Sequence, residues 1–242
     1  EYSEIQEYKR RYFGLGSLYR RFVDWFDWWL VEGWNIEHNN MHHYRLGEDW
    51  DPDLVEKNVQ VLRKSNIPIW TKKIVIFFMV CTWKWFYYTP NTFKFYILNK
   101  YDKGNEMSNE NKKGSLSSVN YLFYYESWMK GFSLISIMLP YFLFYYLLIP
   151  SVYYCINYDY GYNSIINIIL AEILTNIHSF IVILPNHTGS DLYRFDYPVA
   201  HLSGEFYLRQ IISSVNYNMG NDLLDFLHGW LNYQIEHHLF PN

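Results

Sequence analysis

The sequence predicts an all-α protein: a multi-pass membrane helical bundle with a cytoplasmic helical cap that holds a metal site. Three observations carry this. Residues 131–156 contain no charged side chain, and residues 164–185 form a second apolar run interrupted only by Glu172 and His178. Histidines cluster twice, in Glu37-His38-Asn39-Asn40-Met41-His42-His43 and in Gln234-Ile235-Glu236-His237-His238-Leu239-Phe240-Pro241, in a chain with nine histidines in all. Aromatic residues make up 21% of the chain, more than a soluble core requires, although a mean hydropathy of −0.20 averages the segregation away.

About 20 apolar residues suffice to cross a bilayer, so both runs are candidate spans. Pro140 and Pro150 can kink the first, which membrane helices tolerate when the freed backbone groups find partners nearby. The connection between them, Asn157 to Asn163, is expected to be a short loop and carries no Lys or Arg, whereas Lys94 and Lys130 precede the pair and Arg194 and Arg209 follow it. By the positive-inside rule the loop faces away from the cytoplasm, and both histidine clusters share the cytoplasmic side.

A third apolar stretch, Ile74 to Tyr88, contains Lys84, follows Lys72 and Lys73, and ends in Trp83, Trp85, Phe86, Tyr87 and Tyr88. A span there would separate the two clusters, so an interfacial helix is expected. Val23 to Trp34 reads the same way, and a buried core helix is the alternative for both. Residues 99–120, rich in Asn, Lys, Ser and Gly, are expected to be a disordered cytoplasmic insert.

A net charge of −4 with no basic stripe argues against a nucleic-acid partner. Cys81 and Cys155 lie in apolar runs and are expected to be small buried hydrophobes rather than a disulfide. The chain begins at Glu1 without an initiator Met or cleavable signal and stops directly after a histidine pair, which suggests the core of a longer protein, with residues 1–242 forming one domain.

Imidazole nitrogen suits iron, zinc, copper and nickel. On an α-helix His38 and His42 share a face and His43 lies about a quarter turn further, while Gln234, His237 and His238 fall on one broad face. Each cluster could then give one imidazole to a first metal and another to a second. The alternative for any single histidine is a satisfied core residue.

His38-Asn39-Asn40-Met41-His42-His43 resembles the second histidine box, HxxxHH, of membrane fatty acid desaturases. Gln234-Ile235-Glu236-His237-His238-Leu239-Phe240-Pro241 resembles their third box in the form found in front-end and related acyl-lipid desaturases. Gly229-Trp230-Leu231-Asn232-Tyr233 before it, and one hairpin followed by Asn186-His187 between the boxes, fit the same pattern. The resemblance implies a non-haem centre of two iron ions, with His38, His42, His43, His187, His237 and His238 as metal ligands. It implies use of O₂ and two electrons, from cytochrome b5 or ferredoxin, to place a cis double bond in a long acyl chain of a membrane lipid. No cytochrome b5 domain is visible in the chain. In a eukaryote the location would be the endoplasmic reticulum membrane.

His178, inside the second apolar run, is either a ligand or a hydrogen-bonding residue of the bundle. Gln234 stands where other desaturases have histidine, and a water-bridged or supporting role is expected. His228 is expected to be a structural residue or one that supports a ligand, and His201 an ordinary loop residue. No histidine precedes His38, so the family's first box is expected upstream of Glu1, and residues 1–242 alone are expected to bind iron poorly and to be inactive. The rival readings are an acyl-chain hydroxylase of the same family, a membrane zinc hydrolase and an inactive desaturase-like remnant. Among smaller motifs, Glu48-Asp49-Trp50-Asp51-Pro52-Asp53 lacks the turn Gly and closing Glu of a calcium loop and reads as a solvated acidic stretch. Asp191, Tyr193 and Arg194 are expected either to order the site or to form an ordinary turn. Asn186-His187-Thr188 matches a glycosylation sequon on the wrong side of the membrane for modification. Glu172 is expected to bond between helices.

Overall fold

The computed structural model describes residues 31–101, 135, 138–189 and 191–240. The expectations for residues 23–30, and for residues 102–120 of the insert, lie outside them. Among the described residues there is no β-strand, only the isolated bridges Glu48–Phe195 and Asn216–Tyr233.

The first histidine cluster lies on α1, Val31–Trp34, and its continuation as a π-helix over Asn35–His42. Two short helices follow, α2 at Val55–Asn58 and α3 at Gln60–Lys64. Helix α4, Ile69–Cys81, starts earlier than the apolar run suggested and breaks at Thr82, whose φ of −126° and ψ of 24° are not helical. A wide-turn segment, Lys84–Tyr88, then leads into α5, Thr89–Tyr101, which runs three residues into the stretch expected as an insert. No side chain of α4 is buried, and Ile69, Trp70, Ile74, Phe77 and Phe78 point outward, so it is not the buried core helix kept as the alternative.

The two apolar runs form helices long and apolar enough to cross a membrane, Met138–Ile156 and Tyr158–His187. The first contains a π-helix at Leu143–Leu148 and α6 at Ile149–Ile156, and the second is α7, Tyr158–His187. Few of their residues are buried, and Leu147, Val152, Ile169 and Leu174 are among the exposed ones. A core helix of a soluble protein would bury that face. Cys155 is exposed on α6 and Cys81 half-buried on α4; both are free, so neither is the buried hydrophobe expected.

The expected seven-residue loop between these helices is one residue long. Asn157, with φ −160° and ψ 141°, ends α6 and caps α7, its side chain accepting from the Asp159 amide at 2.8 Å. Such a tight turn brings the backbones together, and a Cβ at Gly161 would lie 2.6 Å from Tyr154 Cβ. Only glycine fits there.

Inside the hairpin, Lys84 Nζ lies 3.7 Å from Glu172 Oε2 and donates to the Tyr141 hydroxyl at 3.3 Å. The Lys84 amide donates to Asn176 Oδ1, and Asn176 Nδ2 donates to the Glu172 carbonyl at 2.7 Å. This clasp joins the break after α4, the first apolar helix and α7, and gives Glu172 the interhelical role expected. Above it Val55, Trp83, Tyr87 and Tyr88 form a buried core against Trp34, Phe180, Ile183 and Leu184, with Trp83 and Tyr87 stacked at 4.1 Å. That core ties the first histidine cluster to the end of α7.

The remaining helices are α8 at Gly204–Ile212, α9 at Asp222–Leu227 and α10 at Gln234–Leu239. Ser203 and Asn221 cap α8 and α9 by accepting from Phe206 and Leu224 amides.

Candidate metal centre

The π winding of Asn35–His42 sets the site. Its hydrogen bonds join residues five apart, and the His43 amide donates to the His38 carbonyl at 3.2 Å. His38 therefore sits beside His43, ring centroids 4.6 Å apart, rather than sharing a face with His42 alone as α-helical winding would dictate. His42 turns toward His187 and His238, at centroid distances of 4.8 and 4.9 Å. His237 meets His43 at 4.8 Å. Helix α10 is ordinary α, so Gln234 and His238 lie on one face, with Gln234 Nε2 donating to His238 Nε2 at 2.9 Å.

All six histidines named as candidate ligands thus come together from three places: the π-helix, the last residue of α7 and α10. Their nitrogens, with one carboxylate, form two donor groups. His38, His43 and His237 make one; His42, Asp53 and His187 make the other, the donor atoms within each lying within 4.8 Å of one another. His238 stands beside the second, its Nε2 3.1 Å from His42 Nε2.

The remaining candidates lie elsewhere. His178 Nε2 donates to the Leu227 carbonyl at 2.9 Å, and His228 Nδ1 to the Leu224 carbonyl at 3.0 Å. His201 packs on Tyr44 at 4.2 Å. Arg194 reaches the His187 carbonyl at 3.5 Å, so this part of the Asp191–Arg194 turn does touch the site.

The acidic stretch is not solvated. Glu48, Asp51 and Asp53 are buried, and Asp49 is the exposed member. Asp51 accepts from His42 Nδ1 at 2.7 Å, the Gly47 amide at 2.9 Å and the Asp53 amide at 2.9 Å. Gly47 makes this turn with φ +74°, and a side chain there would crowd Ser213 Oγ at 2.9 Å. Behind the π-helix, Glu37 accepts from Asn91 Nδ2 at 2.7 Å and from the Thr92 hydroxyl. Ser214 pairs with His238 Nδ1. None of these partners carries a motif. Asp51 follows His42 by nine residues, and only the turn at Gly47 brings it back.

Burial and charge set the protonation states. Burial, then the neighbouring His42, lowers His38 to about 3, and burial with His42 lowers His237 to about 4. His43 and His238 are pushed far below the usual range by burial and the surrounding imidazoles. These rings are neutral at physiological pH, and His43, with neither nitrogen hydrogen-bonded, keeps a lone pair for a metal. Burial opposes the charge on His42 as well, but Asp51 and Asp53 outweigh it and raise the ring to about 9. Burial and the Asp53 carboxylate raise Glu37 to about 8, and burial lowers Lys94 to about 7.

The donor set fits a metal. Both ring nitrogens of His43 are buried without a hydrogen-bond partner, and so are Asp53 Oδ1 and Gln234 Oε1. Buried polar atoms are ordinarily paired, and a group of them facing inward among neutral imidazoles suits a cation. Asp51 supplies the carboxylate contact that fixes a ligating imidazole's tautomer and orientation.

Two curated relatives, both NADPH-dependent stearoyl-CoA 9-desaturases from Mycobacterium tuberculosis (strains CDC 1551 / Oshkosh and ATCC 25618 / H37Rv), are each 36% identical over 76 residues. The match covers 31% of this chain and 18% of each relative, so the chain aligns with well under two thirds of their length. No solved structure gives a significant match. The family model described as fatty acid desaturase matches residues 7–242, nearly the whole sequence, and the chain belongs to the fatty acid desaturase family.

Proposed function

We propose that this chain is the histidine-bearing domain of a membrane acyl-lipid desaturase of the front-end type, working at a centre of two non-haem iron ions. The convergence of five histidines and Asp53 into two adjacent donor groups, with His238 beside them, carries the reading. His38, His43 and His237 would hold one ion, and His42 and His187 the other, with His238 and Asp53 beside them. Bound there, the ions would supply the oxidising chemistry with O₂ that an unactivated methylene pair requires and no side chain provides.

The protein's own part is orientation and exclusion of water. Asp51 keeps the Nδ1 proton of His42 engaged, while Nε2 lies 3.1 Å from His238 Nε2. Gln234 orients His238 through its amide and takes the supporting role rather than a ligand's. The cluster is largely closed to solvent, His42 being fully buried, so a reactive centre would be shielded from bulk water.

The two apolar helices, exposed along most of their length, are read as membrane spans and the histidine helices as a cytoplasmic cap. An even number of crossings between His43 and His187 is required to bring both clusters to one side, which the hairpin satisfies if α4 lies at the interface. Residues 1–242 are taken as one desaturase-like domain, receiving electrons from a carrier such as cytochrome b5 or ferredoxin. The names of the two relatives, both stearoyl-CoA desaturases, support a fatty-acyl substrate.

The test is lipid analysis after expression of the full-length protein in a host lacking the product. A new cis double bond that depends on O₂ and on two irons per chain is expected. A new hydroxyl would move the assignment to a hydroxylase, and one zinc per chain with O₂-independent hydrolysis would sink it.

A further inference from the structure

A cavity of about 450 Å³ opens between α3, α4 and α7, with no imidazole in its lining. Its wall is almost wholly carbon, from Leu62, Ile76, Met79, Phe180 and Leu184 among others, and its size lies in the range of about 300–1,000 Å³ typical of small-molecule sites. Three cations, Arg63, Lys72 and Lys73, complete the lining, and no carboxylate joins them. Arg63 and Lys73 are exposed, and Lys72 Nζ donates to the Arg63 carbonyl at 2.9 Å, which holds the Lys72 ammonium beside the Arg63 backbone. Long basic side chains of this kind lay their stems along apolar surface and keep their charges in water. Trp83 lines the same cavity, and its buried indole N–H has no acceptor.

We propose that this groove holds one anionic phospholipid, an acyl chain between α4 and α7 and the phosphate among Arg63, Lys72 and Lys73. Charge complementarity selects the occupant: a carbon-lined slot with three cations and no carboxylate in its lining fits a lipid with a negative headgroup better than a zwitterionic one, the nearest acids, Asp49 and Asp196, lining a separate pocket on the other side of Arg63. The outward-facing Ile69, Trp70 and Ile74 put the groove mouth beside an apolar, aromatic-bearing surface suited to the bilayer interface, where such lipids reside. The proposal rests on the membrane placement argued above, but not on the reaction.

The full-length protein is reconstituted in phosphatidylcholine vesicles with chain-spin-labelled phosphatidylglycerol or phosphatidylcholine, and the motionally restricted fraction is read by electron paramagnetic resonance. Phosphatidylglycerol should be preferred, with affinity falling about fivefold for each cation removed in Arg63→Gln, Lys72→Gln and Lys73→Gln. Met79→Trp, which fills the groove and keeps the charges, should abolish the preference for phosphatidylglycerol while iron content stays unchanged. Equal restriction of both lipids, or a preference surviving Met79→Trp, overturns the groove and leaves the desaturase reading untouched. Displacement by a long-chain coenzyme A ester but by no phospholipid overturns it in favour of a soluble thioester. No restricted lipid of either kind would undo the membrane placement as well.

Discussion

The polar clasp at Lys84 and the histidine cluster differ in how their side chains are hydrogen-bonded. In the clasp, Lys84 has the Glu172 carboxylate and the Tyr141 hydroxyl, and Asn176 uses its amide on both neighbours. In the histidine cluster, His43 has no partner for either nitrogen, and Asp53 and Gln234 each leave an oxygen unpaired. A satisfied group is explained by the fold it holds together. An unsatisfied one asks for something the chain does not itself provide. Both contain charged or titratable residues in apolar surroundings, so composition alone would class them alike.

The contrast breaks most sharply at His43. His43→Ala removes a donor already free of structural duties, so the full-length enzyme should lose one of its two irons and its activity while the apo-protein melts within a few degrees of wild type. Metal analysis and calorimetry on the same preparation check this, and a collapsed fold with normal iron would contradict it. Asp51→Asn probes the supporting layer: the fold should remain, with iron affinity reduced about 10- to 100-fold. A competition titration with a chelator measures it. The smallest effect on the metal belongs to the clasp. Lys84→Met should cost about 1–3 kcal/mol of stability by leaving Glu172 without its cation, with most of it recovered in Lys84→Met/Glu172→Gln. Iron content should not change in either, and a drop would mean that the clasp serves the centre after all.

Much of the site was legible because histidine is scarce and chemically distinctive. The six candidates stood out as HxxxHH, as Asn186-His187 and as the HH of the third box, and all six meet. The apolar hairpin was legible for a similar reason, since a charge-free run of that length is too long for most core helices and matches the thickness of a bilayer. Three features were not. The π winding of Asn35–His42 leaves no periodic signature in eight residues, so α-helical angles paired His38 with the wrong neighbour. The burial of Asp51 and Asp53 follows from a backward turn at Gly47 that their own polarity argues against. The one-residue turn at Asn157 depends on the close approach of Gly161 to Tyr154, two residues whose contact crosses the turn and is invisible in the local pattern. Each miss is a place where a specific packing arrangement overrode a local preference.

The wide winding of the first histidine segment has a consequence for how such sites vary. Hydrogen bonding five residues apart puts His38 and His43 beside one another across four intervening positions, whereas ordinary α winding would do so across three. Spacing and pitch can therefore be exchanged. A relative with one residue fewer between these histidines, wound as a plain α-helix, would present the same pair to the same ion. What the site conserves in that case is a distance between two imidazoles, and the interval counted along the chain is free to drift by one.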